Sequence, residues 1–418
     1  MSDLPRHVVV GGASAAGLTT AENLRKRGYD GKLTLVGDEP HPPYDRPPLS
    51  KQILAGTWVP ERVRLRDDDA LRGLDATLLL GHRATGLDPA TRRVSLDDGA
   101  TLEYDALVIA TGVTPRELPG TNLDGVHRLR TLDDALALRT GLLAGPKVVV
   151  VGAGFLGAEV AAVARRMDLE VTLVDPLSVP MRRQFGDRVG DLVGRLHRDH
   201  GTTLRCGVGV ARFLGSGGRV IGVELADESV LDADLVLVAV GSTPATTWLV
   251  ESGLPLGNGV ECDEFCRAAP GVYAAGDVAS WPNTHFGLRM RLEHRMNATE
   301  QGMAVAAAIM GEAKPFAPVP YFWTDQYDTK IQAYGIFPED ARVQLLDGGF
   351  DERKFIAAYV RDDTVVGVLG WDEPRRVREA RRLVVEQAPL VSAAGSRAAM
   401  PQSPQVNATK QIIDEVVQ

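Results

Sequence analysis

Cysteine is scarce in this chain of 418 residues: there are three, Cys206, Cys262 and Cys266. Three thiols so placed cannot build a disulfide framework, and they suit a reducing compartment. Long apolar runs are missing too. None approaches the roughly 20 residues of a membrane span, and the first residues lack the charged, apolar, cleavable pattern of a signal segment, so no membrane association and a cytoplasmic location are expected. Positive charge is in deficit. A net charge of -9 argues against a general nucleic-acid or anionic-membrane binder, which needs a basic face, although a local basic patch is compatible with it.

What is present is ample apolar material, 44% of residues, in a length that suggests roughly three domains at about 150 residues each. The first organised stretch is Val8-Val9-Val10-Gly11-Gly12-Ala13-Ser14-Ala15-Ala16-Gly17. A β-branched run stops at two glycines and resumes from Leu18 to Arg27 with helical spacing, the pattern of a strand that turns into a helix. Unpaired N–H groups and the positive end of the helix dipole would meet a pyrophosphate there. Ser14 stands where the usual pattern has its middle glycine, so the turn is either a dinucleotide site or an ordinary strand-turn-helix. A second strand, Lys32 to Val36, ends near Asp38, 26 residues beyond Gly12, where an acid accepts from an adenosine ribose. The four prolines between His41 and Lys51 predict a rigid loop presenting polar side chains.

Leu78 to Val94 and Thr101-Leu102 read as short antiparallel strands around the turn Asp97-Asp98-Gly99. Ala106 to Ala110 is a buried strand ending at Thr111-Gly112, and Asp133 to Leu143 a helix leading to a second nucleotide motif. That copy, Val148-Val149-Val150-Val151-Gly152-Ala153-Gly154-Phe155-Leu156-Gly157, is a complete G-x-G-x-x-G between strand and helix. Asp175 closes the next strand 23 residues beyond Gly152, where its charge would accept a ribose 2'-hydroxyl and repel a 2'-phosphate; Arg182 and Arg183 nearby could instead meet that phosphate. Leu204 to Leu225 repeats the hairpin insert, and Ala233 to Gly241 repeats the strand that exits at a glycine. Gly271 to Val278 is a strand ending in Gly276-Asp277, whose carboxylate suits the hydroxyls of a sugar chain. Leu292 to Met310 reads as one long Ala-rich helix. Beyond a linker come Tyr321 to Tyr327, four short strands up to Gly370 and a basic helix from Pro374 to Glu386. After Val391 the Ala, Ser, Pro and Gln content predicts a loosely ordered tail with a short helix at 411–417.

Two nucleotide motifs, the Gly-Asp strand, the long helix and the smaller last domain together resemble the flavoprotein reductases with two dinucleotide-binding domains. Four segments resemble more narrowly the NADH-dependent ferredoxin reductases that serve cytochrome P450 and ring-hydroxylating oxygenases. They are Pro43-Tyr44-Asp45-Arg46-Pro47-Pro48-Leu49-Ser50-Lys51, Leu129 to Ala135, Arg291-Leu292-Glu293-His294 and Phe322 to Tyr327. The resemblance implies an α/β fold of glutathione-reductase type, with two Rossmann-like domains and a C-terminal α+β domain. Its parts would be an FAD-binding domain at 1–113 and 240–317, an NAD-binding domain at 114–239, the third domain at 318–391 and a tail at 392–418.

By the same resemblance FAD lies with its pyrophosphate on Gly12, Ser14, Ala16 and Gly17, its ribose at Asp38 and its ribityl chain at Asp277. Further flavin contacts are Arg46, Lys51, Ala84, Thr111, Gly112, Arg130, Gly276, Glu293, His294 and Arg295. Trp323 is either a shield of the flavin ring or a core residue. NADH lies on Gly152, Gly154, Phe155, Leu156, Gly157, Asp175 and Gly241, with Glu159 at the nicotinamide end. Lys51 and Glu159 are the expected catalytic pair: an ammonium near the flavin N5 stabilises charge on the reduced ring. No metal site is expected. No cysteine lies near the Pro47–Lys51 loop, so a protein dithiol cannot relay electrons; the external acceptor of single electrons that the resemblance implies is a [2Fe-2S] ferredoxin, served by a monomer or weak dimer. Cys262 and Cys266 read as structural. Arg289, Arg291, Arg295, Arg375, Arg376, Arg378, Arg381 and Arg382 form either a basic rim for an acidic ferredoxin or solvated helix faces. Rubredoxin, quinone or dioxygen as acceptor, and a dinucleotide-sensing flavoprotein resembling apoptosis-inducing factor, remain the alternatives; the latter would bring a large insertion in the third domain, and none is visible.

Overall fold

Val8, Val9 and Val10 are wholly buried in the strand His7–Gly11, near the middle of a six-stranded sheet in the computed structural model, which describes residues 4–390. A strand covered on both faces needs a continuous β-branched run, which this is. Lys32–Gly37 and Ala106–Ile109 flank it in parallel, Thr77–Leu80 extends one side, and Val272–Ala274 with the antiparallel Arg267–Ala269 extends the other. The sheet thus takes strands from both ends of a long chain interval. The second sheet is wholly parallel, in the order Thr203–Cys206, Val171–Asp175, Val148–Val151, Leu235–Val238, Val126–His127. The third is antiparallel, five strands from Tyr321–Gln326 to Thr364–Trp371, with helix Pro374–Val385 laid on it through Val377, Ala380 and Val384.

The third sheet does not stand alone. Its Phe322, Ile331 and Leu369 share one core with Phe185, Val189, Leu192 and Leu196 of helix Arg182–Asp199, which belongs to the second sheet's domain. That packing fixes one strand of the third sheet against the second sheet's domain. No helix among the described residues is long and apolar enough to cross a membrane.

Several expected boundaries move. The prolines before Lys51 do not keep the whole segment extended: Leu49–Ile53 is a π-helical turn, with Pro48 at its N-cap, where a proline's missing N–H costs nothing. Thr77–Leu80 joins the main parallel sheet instead of an antiparallel insert, which is Ala84–Asp88, Arg93–Leu96 and Thr101–Glu103. Likewise Thr203–Cys206 belongs to the second sheet, leaving Val210–Ser216 and Arg219–Leu225 as the hairpin. The long helix is Arg295–Ile309; His294 takes extended angles, φ -116° and ψ 132°, at its N-cap, so Leu292, Glu293 and His294 lie on the approach. The predicted tail helix lies outside the described residues.

Candidate active site

The two glycine turns are geometric copies. Gly12 has φ +125° and Gly152 φ +104°, and a Cβ on either would overlap a carbonyl of the neighbouring strand's exit, that of Ala110 or Ala239. One turn later a Cβ on Gly17 or Gly157 would overlap the Gly12 or Gly152 carbonyl. Glycine is required at these four places by close backbone approach. Gly17 therefore packs the helix against the turn and does not line the cleft. Ser14 and Gly154 are the N-caps, and neither makes a side-chain cap bond, so the first-turn N–H groups point outward as an anion site.

A cavity of about 670 Å³ runs from the first turn, lined by Gly12, Ser14, Asp38, Ala84 and Thr111. A second, of about 320 Å³, continues from it. They share Ser14, Arg46, Ala110, Gly112 and Arg130, so together they form one elongated cleft. The second part receives Ala16, Lys51, Phe155, Leu156 and Glu159, then Gly276, Asp277, Glu293, His294, Arg295 and Trp323. Gly152, Gly154, Gly157, Asp175 and Gly241 stand at the other turn, off this cleft and at the carboxyl edge of the second sheet. Both oxygens of Asp175 accept backbone N–H groups, from Ala153 at 2.7 Å and Leu177 at 2.8 Å. It braces its own turn.

Charge along the cleft is partnered. Arg46 donates to Glu39 at 2.6 Å, to the Tyr44 hydroxyl at 2.9 Å and to the Arg130 carbonyl at 2.7 Å. Arg130 faces Asp277 at 3.5 Å. Burial pushes the Asp277 carboxyl up and the Arg130 guanidinium down, and the Arg46 cation adds to the second shift. Burial also takes His294 down to about 4, and its Nδ1 has no partner among the described residues, nor has Trp248 Nε1 at the other end of the cleft.

At the centre Lys51 Nζ donates to Glu159 Oε2 at 2.7 Å and Ser50 Oγ donates to the same oxygen at 2.6 Å. Thr324 Oγ1 donates to Oε1 at 2.8 Å. Lys51 and Glu159 are 108 residues apart, and the π-helical turn presents Ser50 and Lys51 side by side to one carboxylate. Ser50, Thr324, Glu39 and Trp248 are site residues that motif reading missed. For Thr324 a signal existed: Phe322, Thr324 and Gln326 alternate as the buried face of their strand.

Five of the arginines weighed as a basic rim are held by local partners. Arg295 pairs with Asp45 and bonds Thr299, Arg376 pairs with Asp347, and Arg375 with Glu379 at 3.2 Å. Arg291 is held by Glu293 and Asn258, while Arg289 donates to the carbonyls of Cys262 and Ser280. Carboxylates and carbonyls, with one amide and one hydroxyl, satisfy these five guanidinium groups locally. Cys262 and Cys266 are buried thiols, and burial pushes Cys266 up to about 12, so neither is a reactive thiolate. His82, Asp97 and Asp98 bring ligand atoms within 4.8 Å of one another, largely exposed.

Residues 5–302 match the family described as pyridine nucleotide-disulphide oxidoreductase, and residues 321–401 the family described as reductase C-terminal. Rhodocoxin reductase of Rhodococcus erythropolis is 36% identical over 386 residues, covering 92% of this chain and 90% of the relative. The benzene 1,2-dioxygenase system ferredoxin--NAD(+) reductase subunit of Pseudomonas putida is 36% identical over 387 residues, 92% and 93% of the two chains. Among solved structures, the covalent putidaredoxin reductase-putidaredoxin complex superposes with a TM-score of 0.89 at 32% identity, covering 92% of this chain and 94% of that one. The likeness runs over nearly the full length of these relatives, and the chain belongs to the pyridine nucleotide-disulphide oxidoreductase family, among its ferredoxin reductases.

Proposed function

We propose that this protein is an FAD-dependent NADH:ferredoxin reductase, handing single electrons to a [2Fe-2S] ferredoxin that feeds a cytochrome P450 or a ring-hydroxylating oxygenase. The observation that carries the reading is the Lys51–Glu159 pair, set between two dinucleotide turns with no cysteine beside it. The elongated cleft fits FAD: a small-residue turn for a pyrophosphate, two guanidinium groups midway, and unpartnered buried nitrogens of Trp248 and His294 at opposite ends. When bound, FAD takes two electrons as hydride and releases them singly.

The chain's own groups bind, orient and shield. Gly12, Ser14 and Ala16 leave the pyrophosphate room, with Asp38 and Ala84 on the adenosine side and Thr111, Gly112, Arg46 and Arg130 midway. Gly276 and Asp277 suit the sugar hydroxyls. Lys51 stabilises negative charge at the reacting end while Glu159 holds its ammonium in place. Phe155, Leu156 and Trp323 exclude water there, beside Glu293, His294 and Arg295. NADH rests on Gly152, Gly154, Gly157 and Gly241, and Asp175 favours it over NADPH. This assignment divides the chain as 1–113 with 240–317 for FAD, 114–239 for NADH and a third domain from 318. We place the protein in the cytoplasm, which suits its three unpaired thiols.

Stopped-flow mixing of the yellow protein with NADH and with NADPH tests the reading, followed by turnover with a panel of [2Fe-2S] ferredoxins. Fast bleaching by NADH and ferredoxin turnover are expected. Slow reduction by both nucleotides would sink it. Lys51→Met is expected to slow reduction by at least tenfold.

A further inference from the structure

The Glu159 carboxylate is the end of a longer hydrogen-bond chain that leaves the cleft. Gln326 Nε2 lies 3.2 Å from Thr324 Oγ1, and Gln326 Oε1 lies 2.9 Å from His197 Nε2. His197 Nδ1 meets the Tyr327 hydroxyl at 3.2 Å, which meets Thr202 Oγ1 at 2.7 Å. Glu159, Thr324, Gln326, His197 and Thr202 are all at most 5% exposed. Tyr327 is held at φ +58°, a conformation that costs a residue with a side chain and persists only where its surroundings impose it. Its ring stacks on His200 at 3.9 Å.

The direction of every bond follows from the carboxylate. An ionised Glu159, facing the Lys51 ammonium, only accepts, so the single Thr324 hydroxyl hydrogen goes to Oε1. Thr324 Oγ1 must then accept, which assigns the Gln326 nitrogen to it; the flipped amide would set two acceptors against each other. Gln326 Oε1 now needs a donor, which fixes the Nε2–H tautomer of His197. Its bare Nδ1 takes the Tyr327 hydrogen, and Tyr327 takes that of Thr202. Burial pushes His197 down to about 4, consistent with one N–H on a neutral ring. All the dipoles point at one carboxylate, an arrangement in which each bond strengthens the next.

We infer that Thr324, Gln326 and His197 are positioning residues that hold Glu159 oriented against Lys51, through a one-way chain spanning the third sheet and helix Arg182–Asp199. The inference rests on the reductase reading for its kinetic consequence only. Lys51 and Ser50, which line the cleft, bind one oxygen of Glu159, and Thr324, which does not line it, binds the other. The nicotinamide end is thereby built from three parts of the fold, and a shift of the third sheet moves the catalytic pair.

Two measurements on the FAD-loaded protein test this. Thr324→Val, which keeps the shape and loses the hydroxyl, is expected to slow flavin reduction by NADH roughly tenfold, as losing a bond to a charged group does, while Thr324→Ser stays within about twofold of the original. Gln326→Met, which has no N–H to donate, is expected to slow it as well. Independently of turnover, histidine-selective ¹⁵N NMR is expected to find His197 as the Nε2–H tautomer, disturbed in Thr324→Val and kept in Thr324→Ser. An Nδ1–H tautomer in the unaltered protein overturns the chain. So does a Thr324→Val protein reduced at the original rate, or a Thr324→Ser protein as slow as Thr324→Val. Failure of the unaltered flavin to accept electrons from NADH would strike the reductase reading, and the tautomer would still decide the chain.

Discussion

The proposed function asks two duties of Asp175. It sets an adenosine ribose at the end of Val171–Asp175, where the carboxylate oxygens already accept from Ala153 and Leu177. A carboxylate has about four lone-pair sites, so two remain for ribose hydroxyls. Asp175→Ala removes both the turn's brace and the ribose acceptor. We expect NADH to bind about tenfold more weakly and NADPH to lose much less, because the repulsion of its 2'-phosphate disappears at the same time. Nucleotide titrations that leave the NADH-to-NADPH preference unchanged would make Asp175 a brace alone. The spacing from Gly152 announced an acid here, but its bonds to backbone could not be read, since they depend on where the Ala153 and Leu177 N–H groups point. Lys51 and Glu159 are the reverse case. Nothing in the spacing of residues 108 apart joins them; only likeness to a family did, and the 2.7 Å contact supplies the geometry.

At the scale of elements, the parallel strands were legible because buried β-branched runs leave little else to form, and the helix after each glycine pair because its apolar period is long. Boundaries failed where a local rule met a tertiary one. Alanine-rich periodicity carries back to Leu292, but His294 turns extended to bring its ring against Phe322, 4.8 Å away, and the helix starts at Arg295. The π-helical turn at Leu49–Ile53 was hidden behind prolines that tolerate a helix start. The two glycine turns, alike in shape, should separate in consequence. Gly17→Ala and Gly157→Ala each press a methyl on the carbonyl of the turn's own glycine. After desalting, the first is expected to be largely colourless. The second is expected to stay yellow while its reduction by NADH falls by at least tenfold. A yellow Gly17→Ala protein would contradict the assignment of FAD to the first turn.

Across the whole molecule, the third sheet and the nucleotide half are joined through a polar seam inside an apolar one. Phe185 and Phe322 stack at 5.9 Å, and at the far end of the same helix His197 is enclosed against Tyr327, with no exposed surface. An unfolded chain exposes that histidine with a pKa near 6.5, whereas burial lowers it to about 4 in the fold. Between those values the unfolded state binds more protons, so stability is full above about pH 6.5 and falls as pH drops toward 4. At pH 5 the loss traceable to this one group is about 2 kcal/mol. His197→Gln keeps an N–H for Gln326 and removes the titration. Urea unfolding at pH 7.5 and pH 5 should therefore show a smaller acid loss in His197→Gln than in the unaltered chain, by about that amount. Equal losses in the two proteins would mean that the seam opens to water before the fold gives way, and that His197 titrates there as it does in solution.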